Sequence, residues 1–212
     1  MRAIVIANGD ISDYAYIKSN IKPNDYVICA DGAIRHCIEM NIIPNLWIGD
    51  FDSCHFDAYI EKYPFLSSVE TLKLNTEKDV TDTHAACDCA IQKKFNEILL
   101  LGAIGTRFDH TLSNIHLLEY LLKANVSACI INEKNTLKMF DSFIKINSCK
   151  KYLSLIPIDR DVIVKKTAGL KYPLENFVLN RSVSMGVSNE ILSNEATIEI
   201  DAGLMLLIES DD

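Results

Sequence analysis

Two aspartates separated by one residue stand in the segment Gly49-Asp50-Phe51-Asp52-Ser53. If the segment is extended, Asp50 and Asp52 point to the same side of the backbone, because side chains alternate with a period of two. Two carboxylates about 4 Å apart repel by roughly 4 kcal/mol at an effective dielectric constant near 20, so a shared cation or a shared proton is expected. The segment therefore predicts a metal site.

Other acidic residues follow apolar runs or precede a helical pattern. Asp31 follows a second run, and Asp79 and Asp82 stand on either side of Thr81. Each has an ordinary alternative, since Asp is common in turns and Asp or Thr caps helix N-termini. Parallel strands, however, bring their carboxyl ends to one edge of a sheet. We therefore expect these carboxylates to converge, and such a group is costly without a cation.

A third candidate feature is the loop from Gly102 to Arg107. Gly102 and Gly105 leave backbone amides accessible ahead of a helical stretch, and Arg107 adds a permanently charged planar donor, which suits a phosphate. The loop alone fits a glycine-rich strand-to-helix turn equally well. His110 fits either a general base or a capping and orienting residue. The helical stretch carries three candidate residues: Asp109, His110 and Asn114.

The elements that carry these residues alternate between strand and helix patterns. Apolar or alternating runs predict strands at 3–7, 26–30, 46–48, 69–74, 97–101 and 127–132, and the intervening stretches predict helices. The helix from Asp109 is expected to bury Leu112, Ile115, Leu118 and Leu122. Beyond about residue 137 only short strands are predicted, at 152–156, 162–167, 177–179, 183–187, 196–200 and 204–209. The predicted fold is a parallel-sheet α/β domain, residues 1–137, followed by a small antiparallel β-sandwich-like domain, residues 138–212.

Composition excludes several classes of function. The net charge of −8 and the absence of Lys or Arg runs argue against binding to nucleic acid or to an anionic membrane. The N-terminal segment, residues 1–7, holds one Arg and a five-residue apolar run, which is too short for the apolar region of a signal peptide or for a membrane span. The seven cysteines contain no Cys-x-x-Cys pair, which argues against a disulfide framework or zinc site and favours a reducing cytoplasm. The chain also lacks a P-loop and a Gly-x-Gly-x-x-Gly turn after its first strand.

Six segments, in order, resemble the motifs of the thiamine pyrophosphokinases (thiamine diphosphokinases), and together they span nearly the whole chain. The segments are 30–33 (Ala-Asp-Gly-Ala), 49–53, 77–82, 102–114, 169–174 and 187–190. The resemblance implies transfer of the pyrophosphoryl group of ATP to the hydroxyl of thiamine, giving thiamine diphosphate and AMP in a Mg²⁺-dependent homodimer. It further implies that the α/β domain binds ATP and metal, and that thiamine lies between this domain and the β domain of the other subunit.

The resemblance also assigns roles to individual residues. It places Mg²⁺ on Asp50, Asp52 and Asp82, which with Arg107 form the catalytic set. It places the nucleotide on Asp31, Asp79, Thr81, Gly102, Gly105, Arg107, Asp109, His110 and Asn114, with Asp31 also supporting the metal cluster. It places thiamine on Ser188 and Asn189. No aromatic residue directly follows Ser188-Asn189, so aromatic stacking on thiamine is expected from Tyr172 or from elsewhere.

Two other functions remain open from the sequence. Pyrophosphoryl transfer to another heterocyclic alcohol, such as a hydroxymethylpterin, would keep the metal and ATP motifs and change the C-terminal ones. A non-catalytic protein that binds nucleotide or thiamine would be expected to have a broken acidic cluster, whereas Asp50, Asp52 and Asp82 are all present here.

Overall fold

The computed structural model describes residues 1–51, 56–75, 79–147, 150–192 and 195–212. The chain divides into two compact units, Met1–Glu133 and Lys134–Asp212. None of the helices in these described ranges is both long enough and apolar enough to cross a membrane.

The first unit contains a six-stranded parallel sheet. Its strands have the order β4-β3-β2-β1-β5-β6, and every neighbouring pair among them is parallel. The predicted parallel sheet is therefore confirmed. The strands are β1 (Arg2–Ile6), β2 (Tyr26–Ala30), β3 (Leu46–Gly49), β4 (Glu70–Lys73), β5 (Glu97–Leu101) and β6 (Ser127–Ile131).

Helices alternate with these strands, as the sequence pattern predicts. They are α1 (Tyr14–Ser19), α2 (Ile34–Glu39), α3 (Phe56–Lys62), α4 (Asp82–Gln92) and α5 (Phe108–Lys123), with 3₁₀ turns at Asp31–Ala33 and Pro64–Ser68. The central strands β1, β2, β3 and β5 are apolar runs buried almost completely, because the sheet is covered by side chains on both faces. This arrangement places the carboxyl ends of the strands along one edge.

The buried face of α5 differs from the expected one. Leu112 is 49% exposed, whereas Thr111 and Asn114 are buried along with Leu118 and Leu121. The two polar side chains turn inward because they hydrogen-bond to the loop after β5. The prediction used apolar periodicity alone and therefore rotated the helix by about one residue, which is about 100° in a helix of 3.6 residues per turn.

The second unit is made of antiparallel strands in two groups. Strands β7 (Asn135–Phe140), β13 (Met205–Ser210) and β9 (Tyr152–Pro157) pair in that order, and β11 (Glu175–Asn180), β10 (Asp161–Ala168), β12 (Ala196–Ala202) and β8 (Phe143–Ile146) pair in that order. Apolar side chains from both groups, including Leu155, Val164, Ile198 and Leu207, form one core. The predicted β-sandwich-like domain is confirmed.

Two details of this unit differ from the sequence prediction. The expected strand at 183–187 is a 3₁₀ turn, Ser184–Gly186. Gly186 packs so tightly that an added Cβ would lie 2.1 Å from the carbonyl oxygen of Leu155, so the segment follows the surface of β9. Strands β7 and β8 were not predicted, because polar residues interrupt the apolar pattern of both.

Candidate active site

Asp31 lies at the carboxyl end of β2 in a constrained backbone conformation. Its φ angle of 44° lies in the left-handed region, which costs a non-glycine residue about 1–2 kcal/mol. The buried indole Nε1 of Trp47 donates a hydrogen bond to the carbonyl oxygen of Asp31 at 2.9 Å. An added Cβ on Gly49 would lie 2.9 Å from the Cβ of Asp31, so glycine at the end of β3 lets the two strand ends approach.

Three carboxylates meet beside this strand edge. Asp31, Asp50 and Asp82 each offer an oxygen atom, and these atoms lie within 4.8 Å of one another. They come from the end of β2, the end of β3 and the first turn of α4, as the convergence argument predicts. Asp52, the other half of the Asp-x-Asp motif, lies outside the described residues. Asp79 is exposed and does not belong to this group of three.

Thr81 sets the position of Asp82. Its Oγ1 accepts a hydrogen bond from the backbone nitrogen of His84 at 3.2 Å, which makes Thr81 the N-cap of α4. Capping fixes where the helix begins, and Asp82 is its first residue, near the positive end of the helix dipole. Asp79 and Thr81 were the two capping candidates in the sequence, and the structure shows that Thr81 is the cap. Thr81 lines the cleft, and its side-chain cap helps to position the neighbouring carboxylate of Asp82.

Two loops are joined behind the acidic cluster. The backbone nitrogen of Gly9 donates to the carbonyl of Gly102 at 2.7 Å, and that of Asp10 donates to the carbonyl of Ile104 at 2.8 Å. Gly102 has a φ of 61°, and an added Cβ would lie 2.4 Å from the carbonyl oxygen of Ala7. Glycine is therefore required at 102, both for the left-handed backbone and for the close approach to β1.

The first turns of α5 hold the same loop from the other side. Oγ1 of Thr111 accepts from the Gly105 nitrogen at 3.0 Å and donates to its carbonyl oxygen at 3.1 Å. The buried Nδ2 of Asn114 donates to the carbonyl of Ala103 at 2.8 Å. The sequence placed Asn114 at the nucleotide; the structure places it in the cleft lining with its amide engaged by the loop. Thr111 was not among the candidates, although its spacing from Asn114 marks one helix face.

Arg107 and Asp109 form an exposed ion pair at the N-terminus of α5. Nη2 of Arg107 lies 2.6 Å from Oδ2 of Asp109, and the two side chains are 70% and 65% exposed. This hydrogen bond lowers the pKa of the Asp109 carboxyl below its ordinary value, so Asp109 stays ionised. His110, the next residue, is also exposed and lines the cleft. Because the Arg107 guanidinium is exposed, another anion can take the place of the Asp109 carboxylate beside it.

A cleft of about 610 Å³ lies beside these features, and its volume is within the usual range for a small-molecule site. Of the predicted residues it contains Asp31, Thr81, Asp82, Gly105, Arg107, His110 and Asn114. Four predicted residues in the described part of the first unit are not part of its lining: Asp50, Asp79, Gly102 and Asp109. Sequence reasoning missed Asn8, Gly9, Asp10 and Arg35, which also line it. The position of Asn8-Gly9-Asp10 directly after β1 could have indicated that this turn lines the site. No sequence signal marks Arg35, since it is a lone basic residue in a helix.

In the second unit, Ser188 and Asn189 lie beside β9. Ser188 has a φ of 59°, and its backbone nitrogen donates to Oγ of Ser154 at 3.0 Å. Asn189 is buried; its Nδ2 donates to the carbonyl of Tyr172 at 2.7 Å, and its Oδ1 accepts from the Tyr172 nitrogen at 3.0 Å. The ring of Tyr172 is exposed. Asn189 thus ties the Tyr172 segment in place.

Comparison with known proteins decides the family. The family model described as "Thiamin pyrophosphokinase, catalytic domain" matches residues 17–130, and "Thiamin pyrophosphokinase, vitamin B1 binding domain" matches residues 142–205. The chain belongs to the thiamine pyrophosphokinase family. The resemblance of the six sequence segments is thereby confirmed, and the family consists of transferases that make thiamine diphosphate.

Individual thiamine pyrophosphokinases agree with this membership. The enzyme of Bacillus subtilis is 32% identical over 179 residues, which cover 82% of each chain. "Thiamin pyrophosphokinase 1" of Caenorhabditis elegans is 25% identical over 198 residues, covering 87% of this chain and 79% of that protein. The crystal structure of thiamine pyrophosphokinase from Bacillus subtilis superposes with a TM-score of 0.91 at 27% identity over the whole of both chains. That from Geobacillus thermodenitrificans gives 0.88 at 25% identity, over all of this chain and 98% of the other.

Proposed function

We propose that this protein transfers the pyrophosphoryl group of ATP to the hydroxyl of thiamine, giving thiamine diphosphate and AMP. Membership of the thiamine pyrophosphokinase family supports the reaction. In this chain the main observation that supports the proposal is the group of Asp31, Asp50 and Asp82 beside a cleft large enough for a nucleotide. Such transfer depends mainly on positioning and on neutralising phosphate charge, which carboxylates with a cation and an arginine provide.

The donor set fits Mg²⁺. Three carboxylates from rigid elements offer oxygen atoms within 4.8 Å of one another, and Mg²⁺ binds through a few carboxylates plus waters and substrate phosphates. We assign Asp31, Asp50 and Asp82 to hold the ion, and Asp52 with them as the sequence predicts. An ion held there would supply positive charge next to the phosphate oxygens. The carboxylates themselves fix where that charge lies, because each is anchored to a different strand or helix end.

Arg107 is proposed to exchange Asp109 for a phosphate oxygen of ATP. Both side chains are largely exposed, so a phosphate oxygen can replace the Asp109 carboxylate while the guanidinium stays in contact with water. The Gly102–Gly105 loop lies next to it, held by Thr111 and Asn114. These two residues would orient the loop amides toward the nucleotide rather than act in the chemistry. His110 and Thr81 remain proposed nucleotide contacts, together with Gly102, Gly105, Asp79 and Asp109.

The second unit is proposed to bind thiamine. The family model for vitamin B1 binding covers Ser188, Asn189 and Tyr172. Because the amide of Asn189 is engaged by the Tyr172 backbone, we assign Asn189 to orienting that segment and the exposed Tyr172 ring to stacking on a heterocycle. The protein is further proposed to act as a homodimer. Light scattering tests this, and a monomer at assay concentration would contradict it.

A cytoplasmic location is also proposed. None of the five cysteines among the described residues belongs to a disulfide: Cys29, Cys37, Cys87, Cys89 and Cys129. Cysteines outside disulfides are usual where the compartment is reducing. Fractionation of cells with an antibody to the protein measures this directly.

The reaction is tested with purified protein, ATP, Mg²⁺ and thiamine, following AMP and thiamine diphosphate by chromatography. We expect both products in equal amounts, and neither when Mg²⁺ is chelated. A parallel reaction with a hydroxymethylpterin separates the alternative acceptor. Formation of AMP with the pterin and not with thiamine would overturn the proposal, and binding of ATP without either product would indicate a non-catalytic protein.

A further inference from the structure

Arg35, in helix α2, presents an anchored guanidinium to the cleft. Its Nε donates to Oδ1 of Asn8 at 2.7 Å, and its Nη2 donates to the carbonyls of Gly9 at 2.8 Å and Asn8 at 3.2 Å. All three acceptors belong to the turn after β1, which lines the same cleft. The guanidinium plane is therefore fixed against the cleft wall, although the residue is exposed.

The turn that anchors Arg35 is itself rigid. Nε2 of His36 donates to the Gly9 carbonyl at 2.9 Å, and Nδ1 of His36 accepts from the Tyr14 hydroxyl at 2.9 Å. His36 is fully buried, and this burial lowers its pKa, which keeps the ring neutral and Nδ1 able to accept. The Gly9 nitrogen is held by Gly102. Arg35 is thus built onto a fixed support.

The charge of Arg35 is not balanced by its anchors. All three acceptors are neutral oxygen atoms, and among the described residues no carboxylate oxygen lies within 4.0 Å of its guanidinium nitrogens. Arg107, the other arginine of the cleft, is paired with Asp109 at 2.6 Å. Nη1 of Arg35 makes no hydrogen bond to the described part of the chain. One edge of a permanently charged group therefore remains for a ligand.

We propose that Arg35 binds phosphate oxygens of the nucleotide through its Nη1 edge. A nucleoside triphosphate carries more negative charge than one divalent cation balances, and the N–H groups of Nη1 on a permanently charged guanidinium can donate to its phosphate oxygens. Arg35 would supply charge on the β1 side of the cleft, and Arg107 on the α5 side. The inference rests on the proposed function only for the identity of the nucleotide.

The test measures binding of α,β-methylene-ATP by calorimetry, with Mg²⁺ and without thiamine, so that no turnover occurs. R35Q removes the charge, R35K keeps it, and R160Q removes a charge from an exposed arginine of the second unit. A hydrogen bond to a charged group is worth about ten- to a hundredfold in affinity, so we expect R35Q to weaken binding by about tenfold or more. R35K should lose less than R35Q, and R160Q should bind as the unsubstituted protein does.

Adenosine, which has no phosphate, distinguishes a phosphate contact from a distorted cleft. We expect R35Q to leave adenosine affinity unchanged, and an equal loss for adenosine and the analogue would overturn the inference. Unchanged analogue affinity in R35Q would overturn it as well. If R35Q does not fold, phenylglyoxal labelling of the unsubstituted protein decides: protection of Arg35 by the analogue, with Arg160 still labelled, supports the contact, and lack of protection refutes it.

The outcome is separable from that of the proposed reaction. A protein that binds the analogue through Arg35 but makes no thiamine diphosphate would contradict the proposed function and support this inference. The opposite result is also possible: the unsubstituted protein makes thiamine diphosphate, and R35Q and R160Q bind the analogue equally well. That result would support the proposed function and contradict this inference.

Discussion

Replacing Asp50 by Asn should stabilise the metal-free protein and abolish its response to Mg²⁺. Three carboxylate oxygens lie within 4.8 Å of one another, and each pair of unit charges at that distance repels by about 3.5 kcal/mol at an effective dielectric constant near 20. Asp50→Asn removes two of the three repulsions. Solvent reaches Asp50 and Asp82, which reduces the benefit, and we expect a net gain of at least about 1 kcal/mol. For a chain of this size that corresponds to a rise in Tm of about 2–4 °C.

The assay is thermal unfolding in a chelator and again in excess Mg²⁺. Asp57→Asn is the matched control, because it removes the same charge from an exposed position in the first turn of α3. The unsubstituted protein and the control should gain stability on adding Mg²⁺, since a ligand of the folded state stabilises it, and Asp50→Asn should gain much less. Turnover of Asp50→Asn should fall by about 10²-fold or more. A lower Tm in chelator, or an unchanged Mg²⁺ response, would refute the reasoning.

Three further substitutions test the supports of the cleft. Gly102→Ala should cost at least about 1–2 kcal/mol by urea unfolding, because alanine at a φ of 61° is strained and its Cβ meets the Ala7 carbonyl. Asn114→Ala leaves the Ala103 carbonyl without its donor, which should cost about 1–3 kcal/mol and raise the KM for ATP more than that for thiamine. His36 is held neutral in the fold by burial, so its pKa is below that of the unfolded chain. Stability should therefore fall as pH drops below about 6.5, and His36→Gln should reduce that loss.

Each of these has a contradicting result. Equal stability of Gly102→Ala and the unsubstituted protein would mean that the loop relaxes. An unchanged ATP KM in Asn114→Ala would show that the loop orientation does not matter for nucleotide. For His36, the sign follows from proton uptake: the unfolded chain binds a proton there below its own pKa while the folded chain does not. An identical pH dependence in His36→Gln would contradict this assignment.

The acidic cluster could be predicted because it depends on topology. Parallel strands read from apolar runs bring their carboxyl ends to one edge, and this argument correctly grouped Asp31, Asp50 and Asp82. The same argument also included Asp79, which is exposed and lies outside that group of three. The helix cap could be narrowed to Asp79 or Thr81 for a different reason, since caps are local in sequence, and the structure shows Thr81.

What the sequence did not predict depends on contacts between distant segments. Arg35 becomes a cleft residue only because the turn at Asn8, 27 positions earlier, offers it three acceptors. The rotation of α5 arises because Thr111 and Asn114 find partners in a loop, which makes polar side chains part of the buried face. The turn at Ser184–Gly186 depends on packing against β9. Periodicity considers only apolar residues, and it does not indicate which polar side chains will find hydrogen-bond partners in the protein interior.

Trp47 is the chain's single tryptophan, and it gives the protein an internal optical probe. Its indole N–H contacts the Asp31 backbone, and the ring of Phe51, which follows Asp50, packs on it with centroids 5.1 Å apart. A change at either aspartate therefore alters the surroundings of the fluorophore. Because no other indole contributes to the signal, its fluorescence emission should report in real time when a metal ion binds to the acidic cluster. The measurement needs neither a label nor a coupled enzyme.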